Sequence, residues 1–246
     1  MTEESGDGTR TAWGERQREI AELKQHVADM AALAVGMVAD GTRALLNADV
    51  DLSRSVISRD APLDREDLSI EIATIRLVAT LQPEGPDLRT IESVLKIANC
   101  VDRVGRLGYD LARNIVSAPE SADAEPRALL RKMDERARAM VTQSVDAFVA
   151  GDAVRAKAVF PMDDEVDALH REVQRKLIDL MHQGGPTTDR LAYELLGARH
   201  LERVADNACK IAEKAVYALT GERRSEYMAR PLRPRSLLPP SEGANP

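Results

Sequence analysis

Residues 48–64 read "ADVDLSRSVISRDAPLD", and residues 151–167 read "GDAVRAKAVFPMDDEVD". At an offset of 103 the two segments place Val56 on Val159, Ile57 on Phe160, Asp60 on Asp163 and Asp64 on Asp167. Further along, "CVDRVGRLGYDLAR" at 100–113 and "HLERVADNACKIAE" at 200–213 match Arg103 to Arg203 and Val104 to Val204. Their offset is 100, as a shorter loop in the second copy requires. An internal repeat of about 100 residues is therefore the organising feature of the chain.

Hydrophobic periodicity says what each copy is made of. Ile20, Leu23, Val27, Met30, Ala34 and Met37 recur at steps of three and four, one face of a helix from Glu15 to about Ala48. Asp49 is the expected N-cap of a second helix reaching about Gln82. The loop "QPEGPDLR" at 82–89 holds two prolines, and Asp87 is the expected cap of a third helix to about Val116. "SAPESADAEP" at 117–126 reads as a linker.

The succession then repeats. A fourth helix spans 127–150, a fifth 151–182, and a sixth follows "GGPTTD" at 184–189 and ends near Gly221. β-Branched alternation bounded by turns is missing throughout, so the expected fold is all-α, two tandem three-helix repeats. The expected boundaries are a flexible N-terminus at 1–14, repeats at 15–118 and 125–222, and a disordered Pro-rich tail at 223–246.

Composition narrows the function. Aromatics make up only 3% of the chain, so the core is built from small aliphatic side chains that favour close helix packing. A net charge of −7 argues against a general nucleic-acid binder, which needs surplus Lys and Arg on one face. The longest uncharged run, Met30–Ala39, has ten residues, far short of the roughly 20 that span a membrane. The acidic N-terminus is unlike a secretory signal, and two cysteines make no disulfide framework, so a cytoplasmic location is expected.

The acids carry the chemistry. On the sixth helix Glu202 lies within the apolar stripe of Leu195, Ala198, Ala205, Cys209, Ala212 and Val216, and Asp206 and Glu213 lie at its edge. On the fifth, Asp163, Asp167 and His170 share a side with Val159, Leu177 and Met181. Carboxylates at core-facing positions are costly unless compensated, and i,i+4 spacing stacks both acids of a pair on one side. Asp163, Asp167, Glu202 and Asp206 are thus a candidate metal site for Fe, Mn, Zn or Mg. The plainer alternative stays open: such acids are often solvated or paired with arginine, and Arg199 and Arg203 stand nearby.

"LERVADNACKIAE" at 201–213 and "QPEGPDLRTIESVLKIANCVDRVG" at 82–105 resemble the signature segments of PhoU proteins, regulators of phosphate uptake. The two helix openings quoted at the start resemble that family as well, and the likeness spans roughly 30–221. It implies two three-helix bundles related by pseudo-twofold symmetry, each with a metal cluster held by E(D)xxxD motifs. Those motifs fall on Asp163/Asp167 and Glu202/Asp206 in the second repeat. In the first they fall on Asp60/Asp64 and on Asp102 with position 106, where this chain has Arg106. The resemblance further implies a cytoplasmic adaptor, often a homodimer, acting on a phosphate-sensing histidine kinase and the ATPase subunit of a phosphate ABC transporter.

Arg106 replaces an anionic ligand with a cation that does not deprotonate. It is expected to pair with Asp60, Asp64 or Asp102, leaving the first site metal-free or weakened. No nucleotide-binding loop, nucleophile elbow or catalytic triad is visible, so no enzymatic activity is expected. The rival class is a carboxylate-bridged di-metal enzyme, but such bundles use Glu-x-x-His, and the closest element here is Asp167-Ala-Leu-His170. A PhoU-like regulator retuned to another transporter or partner is the remaining alternative.

Overall fold

The computed structural model describes residues 5–115, 124–184 and 188–223, with side chains from Gly14 onward. Eight helices follow in order: α1 (Ser5–Asn47), α2 (Val50–Ile57), α3 (Asp60–Leu81), α4 (Gly85–Arg113), α5 (Glu125–Ala150), α6 (Ala153–Lys157), α7 (Phe160–His182) and α8 (Thr188–Thr220). Among the described residues there is no strand. The first repeat is α1 to α4 and the second α5 to α8, each a bundle of three long helices with one short helix inserted.

The expected second and fifth helices are each broken in two, at Ser58–Arg59 and at Ala158–Val159. Proline is the cause. Pro62 and Pro161 lie in the first turns of α3 and α7, where a missing N–H costs nothing, whereas within a longer helix each ring would clash with the carbonyl four residues back. The caps of the short helices obey the repeat. Asp49 accepts the Leu52 N–H and Asp152 the Arg155 N–H, both at 2.9 Å.

Two local expectations need correction. Asp87 does not cap α4, which opens at Gly85 behind Glu84 with Pro86 in its first turn. Asp87 instead reaches across to α1, accepting from Gln17 Nε2 at 3.1 Å beside Arg16. The first helix also begins at Ser5, ten residues before Glu15, since adding turns to an existing helix is cheap compared with nucleating one. Residues 1–4, most of the expected linker and the tail from 224 lie outside the described residues.

The long helices pack as one continuous core. α4 and α8 meet along their length, α1 lies against α4 and α5, and α5 against α8. α4 and α8 run antiparallel: Arg89 near the start of α4 lies beside Gly221, and Asn114 just past its end meets His200 at 3.4 Å. Two glycines set the closest approach, and a Cβ on the first, Gly41, would stand 2.4 Å from the Gly108 carbonyl oxygen. A Cβ on Gly108 would stand 2.6 Å from the backbone of Met37 and Val38, so α1 and α4 touch main chain to main chain there. α3 and α7 lie on the outside, flanking α4 and α8 respectively.

The outer helices differ on their solvent side. Leu68, Ile72 and Ile75 form an exposed apolar line along α3, with Ile72 at 58% exposure. Their matched positions in α7 are Arg171, Arg175 and Ile178.

Candidate metal centre

In the second repeat the acids of α7 and α8 converge, to different depths. Glu202 is buried at 7% exposure, Asp163 and Asp206 are half-buried, and Asp167 is exposed. Asp163 reports the crowding. Burial pushes its carboxyl up to about 6, and the negative charges of Asp167, Asp206, Asp164 and Glu202 push the same way. Burial is the larger cause of this rise, and the neighbouring anions add to it.

Arginine relieves only part of this. Arg199, one turn earlier on α8, pairs with Glu202. It also lies close enough to His170 that its charge, after burial, lowers that imidazole's pKa. Among the described residues no cation pairs with the side chains of Asp163 or Asp206. Arg203 points its exposed side chain away from the core. Among the described residues, no three Asp, Glu, His or Cys side chains stand at ligating separations from a common point. The four acids are gathered but not closed into a coordination shell.

The donor set suits a hard or borderline divalent ion: all oxygen, anionic and contributed by two adjacent helices. Asp163, Asp167, Glu202 and Asp206 are the residues that would hold it.

The first repeat brings its acids together differently. Asp60 and Asp64 on α3 and Asp102 on α4 all face Arg106. Arg106 Nη1 donates to Asp60 at 3.3 Å, Nη2 to Asp64 at 2.5 Å and Nε to Asp102 Oδ2 at 3.2 Å. The guanidinium thus spends donors on three carboxylates from two helices. The other oxygen of Asp102 is buried without a hydrogen-bond partner. Asp67, one turn beyond Asp64, is also raised, by burial first and then by Asp102, Glu71 and Asp64. A metal does not fit this constellation as it stands, because a permanent cation already occupies its centre.

Two buried polar clusters escape a reading focused on repeat-matched acids, and both join the two halves. Thr42 of α1 donates to Asp134 of α5 at 3.1 Å, and Arg138 holds the other Asp134 oxygen at 2.8 and 2.9 Å. Glu194 of α8 is 1% exposed, accepts from Arg190 at 3.3 Å and lies 3.6 Å from Arg127. Arg190 also donates to the Leu46 carbonyl of α1 at 2.5 Å. Burial raises both carboxyls, and their arginines oppose the rise. The available signal was the i,i+4 spacing of Asp134 with Arg138 and of Arg190 with Glu194.

Comparison with known proteins agrees with this architecture. A PhoU domain model matches residues 27–115 and 130–215, once in each repeat. The phosphate-specific transport system accessory protein PhoU homolog of Rhizobium meliloti is 32% identical over 206 residues, covering 82% of this chain and 86% of that protein. The homolog of the same name from Aquifex aeolicus is 33% identical over 205 residues, covering 83% and 93%. The crystal structure of PhoU from Pseudomonas aeruginosa superposes with a TM-score of 0.76 at 27% identity, over 84% of this chain and 99% of that one. With two family matches that coincide with the two three-helix repeats, and relatives covered almost end to end, the chain belongs to the PhoU family.

Proposed function

We propose that this chain is an accessory regulator of a phosphate-specific transport system. The observation that carries the proposal is the extent of the likeness. It runs through both repeats and most of the length of relatives that bear that name, rather than through one shared helix pair. Among the described residues no helix is long and apolar enough to cross a membrane. On this reading the chain acts on the transport system as a docking partner, from the cytoplasm and as a homodimer. Its targets are the transporter's ATPase subunit and a phosphate-sensing histidine kinase. It regulates by binding and is not an enzyme.

The second repeat adds a metal centre to this role. Asp163, Asp167, Glu202 and Asp206 hold a divalent ion, with Fe, Zn, Mn and Mg all compatible with an all-carboxylate set. A bound ion adds positive charge among these acids, of which Glu202 already pairs with Arg199, and ties α7 to α8. The first site is degenerate through Arg106. What supports the metal reading is the raised Asp163 carboxyl among four neighbouring acids.

Affinity capture with the full chain, from phosphate-replete and phosphate-starved cells, tests the regulatory role. Enrichment of a phosphate-transporter ATPase subunit and a histidine kinase is expected, and enrichment of neither in both conditions rejects it. Elemental analysis tests the metal separately. The wild type is expected to carry metal that Asp206→Ala loses, and an unchanged stoichiometry in that variant removes the assignment.

A further inference from the structure

At matched positions the two repeats solve one electrostatic problem in two ways. The second has four carboxylates, with Arg199 engaging only Glu202. The first has three carboxylates with Arg106 between them, in contact with each. The guanidinium bridges the same pair of elements a metal would bridge, joining Asp60 and Asp64 of the outer helix to Asp102 of the inner one.

Packing supports the same distinction. A Cβ on Gly105, beside Arg106, would stand 2.3 Å from Leu63 Cδ2, so Leu63 of α3 fills the space that a side chain at 105 would take. The matched residues in the second repeat are Ala205 and Val166, larger than the glycine and smaller than the leucine they replace. In the first repeat, then, the outer helix is seated by a buried leucine directly next to its salt bridges.

We infer that Arg106 is a built-in cation that does, permanently and without metal, what a bound ion does in the second repeat: it holds the outer helix to the inner one. The chain is therefore half constitutive and half ion-responsive. α3 stays docked on α4 whatever the metal supply, while an ion between the acids of α7 and α8 adds to the packing that Val166, Leu169, Val173 and Leu177 already give α7. The statement about α7 rests on the proposed metal centre; the statement about Arg106 does not.

The test uses the full chain stripped with chelator and then titrated with Mn²⁺ or Zn²⁺. Bound metal is counted by elemental analysis and backbone protection is followed by hydrogen exchange. In the wild type, metal is expected to slow exchange in α7 and α8 and leave α3 unchanged. Arg106→Asp is expected to add a second metal centre, roughly doubling the stoichiometry, and to make α3 exchange metal-dependent. Arg106→Gln is expected to speed α3 exchange without metal. Metal that slows α3 exchange in the wild type, or that survives Asp163→Asn/Asp206→Asn and is lost with Asp60→Asn/Asp64→Asn, overturns the inference. So does an Arg106→Asp chain that gains no metal. If the wild type binds no metal but Arg106→Asp gains one site, the metal reading of the second repeat fails and the role of Arg106 stands. Hydrogen exchange on the unaltered chain decides the matter even if a variant fails to fold.

Discussion

The two repeats share spacing, capping and helix order, yet they differ at the place where an outer helix meets an inner one. α3 meets α4 through an arginine laid across three aspartates and a leucine seated against a glycine. α7 meets α8 at a cluster of acids, where burial first and the neighbouring carboxylates second raise the carboxyl of Asp163. One junction centres on a cation that reaches all three of its aspartates, and in the other an arginine, Arg199, reaches Glu202. A duplicated scaffold can keep its shape while the charges at one junction change sign, because the guanidinium of Arg106 stands where the other copy has the carboxylate of Asp206.

The largest expected effect concerns a glycine that distinguishes the copies. Position 208 of the second repeat is a buried Ala, but at Gly108 an added Cβ would meet main-chain atoms of Met37 and Val38. Backbone cannot move aside as a flexible side-chain tip can. Gly108→Ala is expected to cost about 3 kcal/mol in urea unfolding, at the upper end for overpacking. A loss below about 0.5 kcal/mol would show that α1 and α4 slide apart freely.

Next comes the arginine. Arg106 is about half exposed, so solvent screens its three bonds and the network is worth less than its geometry suggests. Arg106→Gln is expected to lower stability by about 1 kcal/mol at low salt, and by less at 1 M salt, in thermal unfolding. Indifference to both the substitution and the salt would remove its bridging role.

The second junction is expected to respond to pH in the opposite sense to an ordinary salt bridge. Asp163 has a folded-state pKa of about 6 against an ordinary 3.8, so the folded protein holds its proton more tightly than the unfolded one. Its contribution to stability is full below pH 3.8 and is lost as pH rises through 6. Metal-free protein is therefore expected to lose stability across that window, and saturating Mn²⁺ to flatten the profile. Asp206→Arg, which copies the first repeat into the second, is expected to abolish metal binding and return Asp163 toward the ordinary carboxylate range in an NMR titration. An Asp163 titration unchanged by that swap would break the analogy between the sites.

The smallest effect is expected on the outer face. Ile72 is exposed, and its counterpart in α7 is Arg175. Ile72→Arg is expected to change stability by less than about 0.5 kcal/mol in chemical unfolding, as for other surface positions.

Much of this was legible residue by residue. The caps Asp49 and Asp152 sit one offset apart and make identical bonds, because capping needs only a side chain and the next turn. The helices α2 and α6 were not separated from their neighbours, although Pro62 and Pro161 were in plain view; hydrophobic spacing runs on through a break that preserves the buried face. The cap expected of Asp87 is not made, because the choice between its own helix and α1 depends on which N–H groups α1 brings within reach. Asp134 and Glu194 went unremarked because nothing local shows that an i,i+4 acid–arginine pair is buried and not on the surface.

Chain order alone determined that the protein is a doubled set of helices with acids on the inner side and one cation out of pattern, since periodicity, caps and repeat offsets depend on neighbours a few residues away. Only the folded arrangement decided that Arg106 reaches three acids while Asp163 is left among anions. Charge pairing acts over a few ångströms in space, and the partners come from helices more than 40 residues apart in the chain.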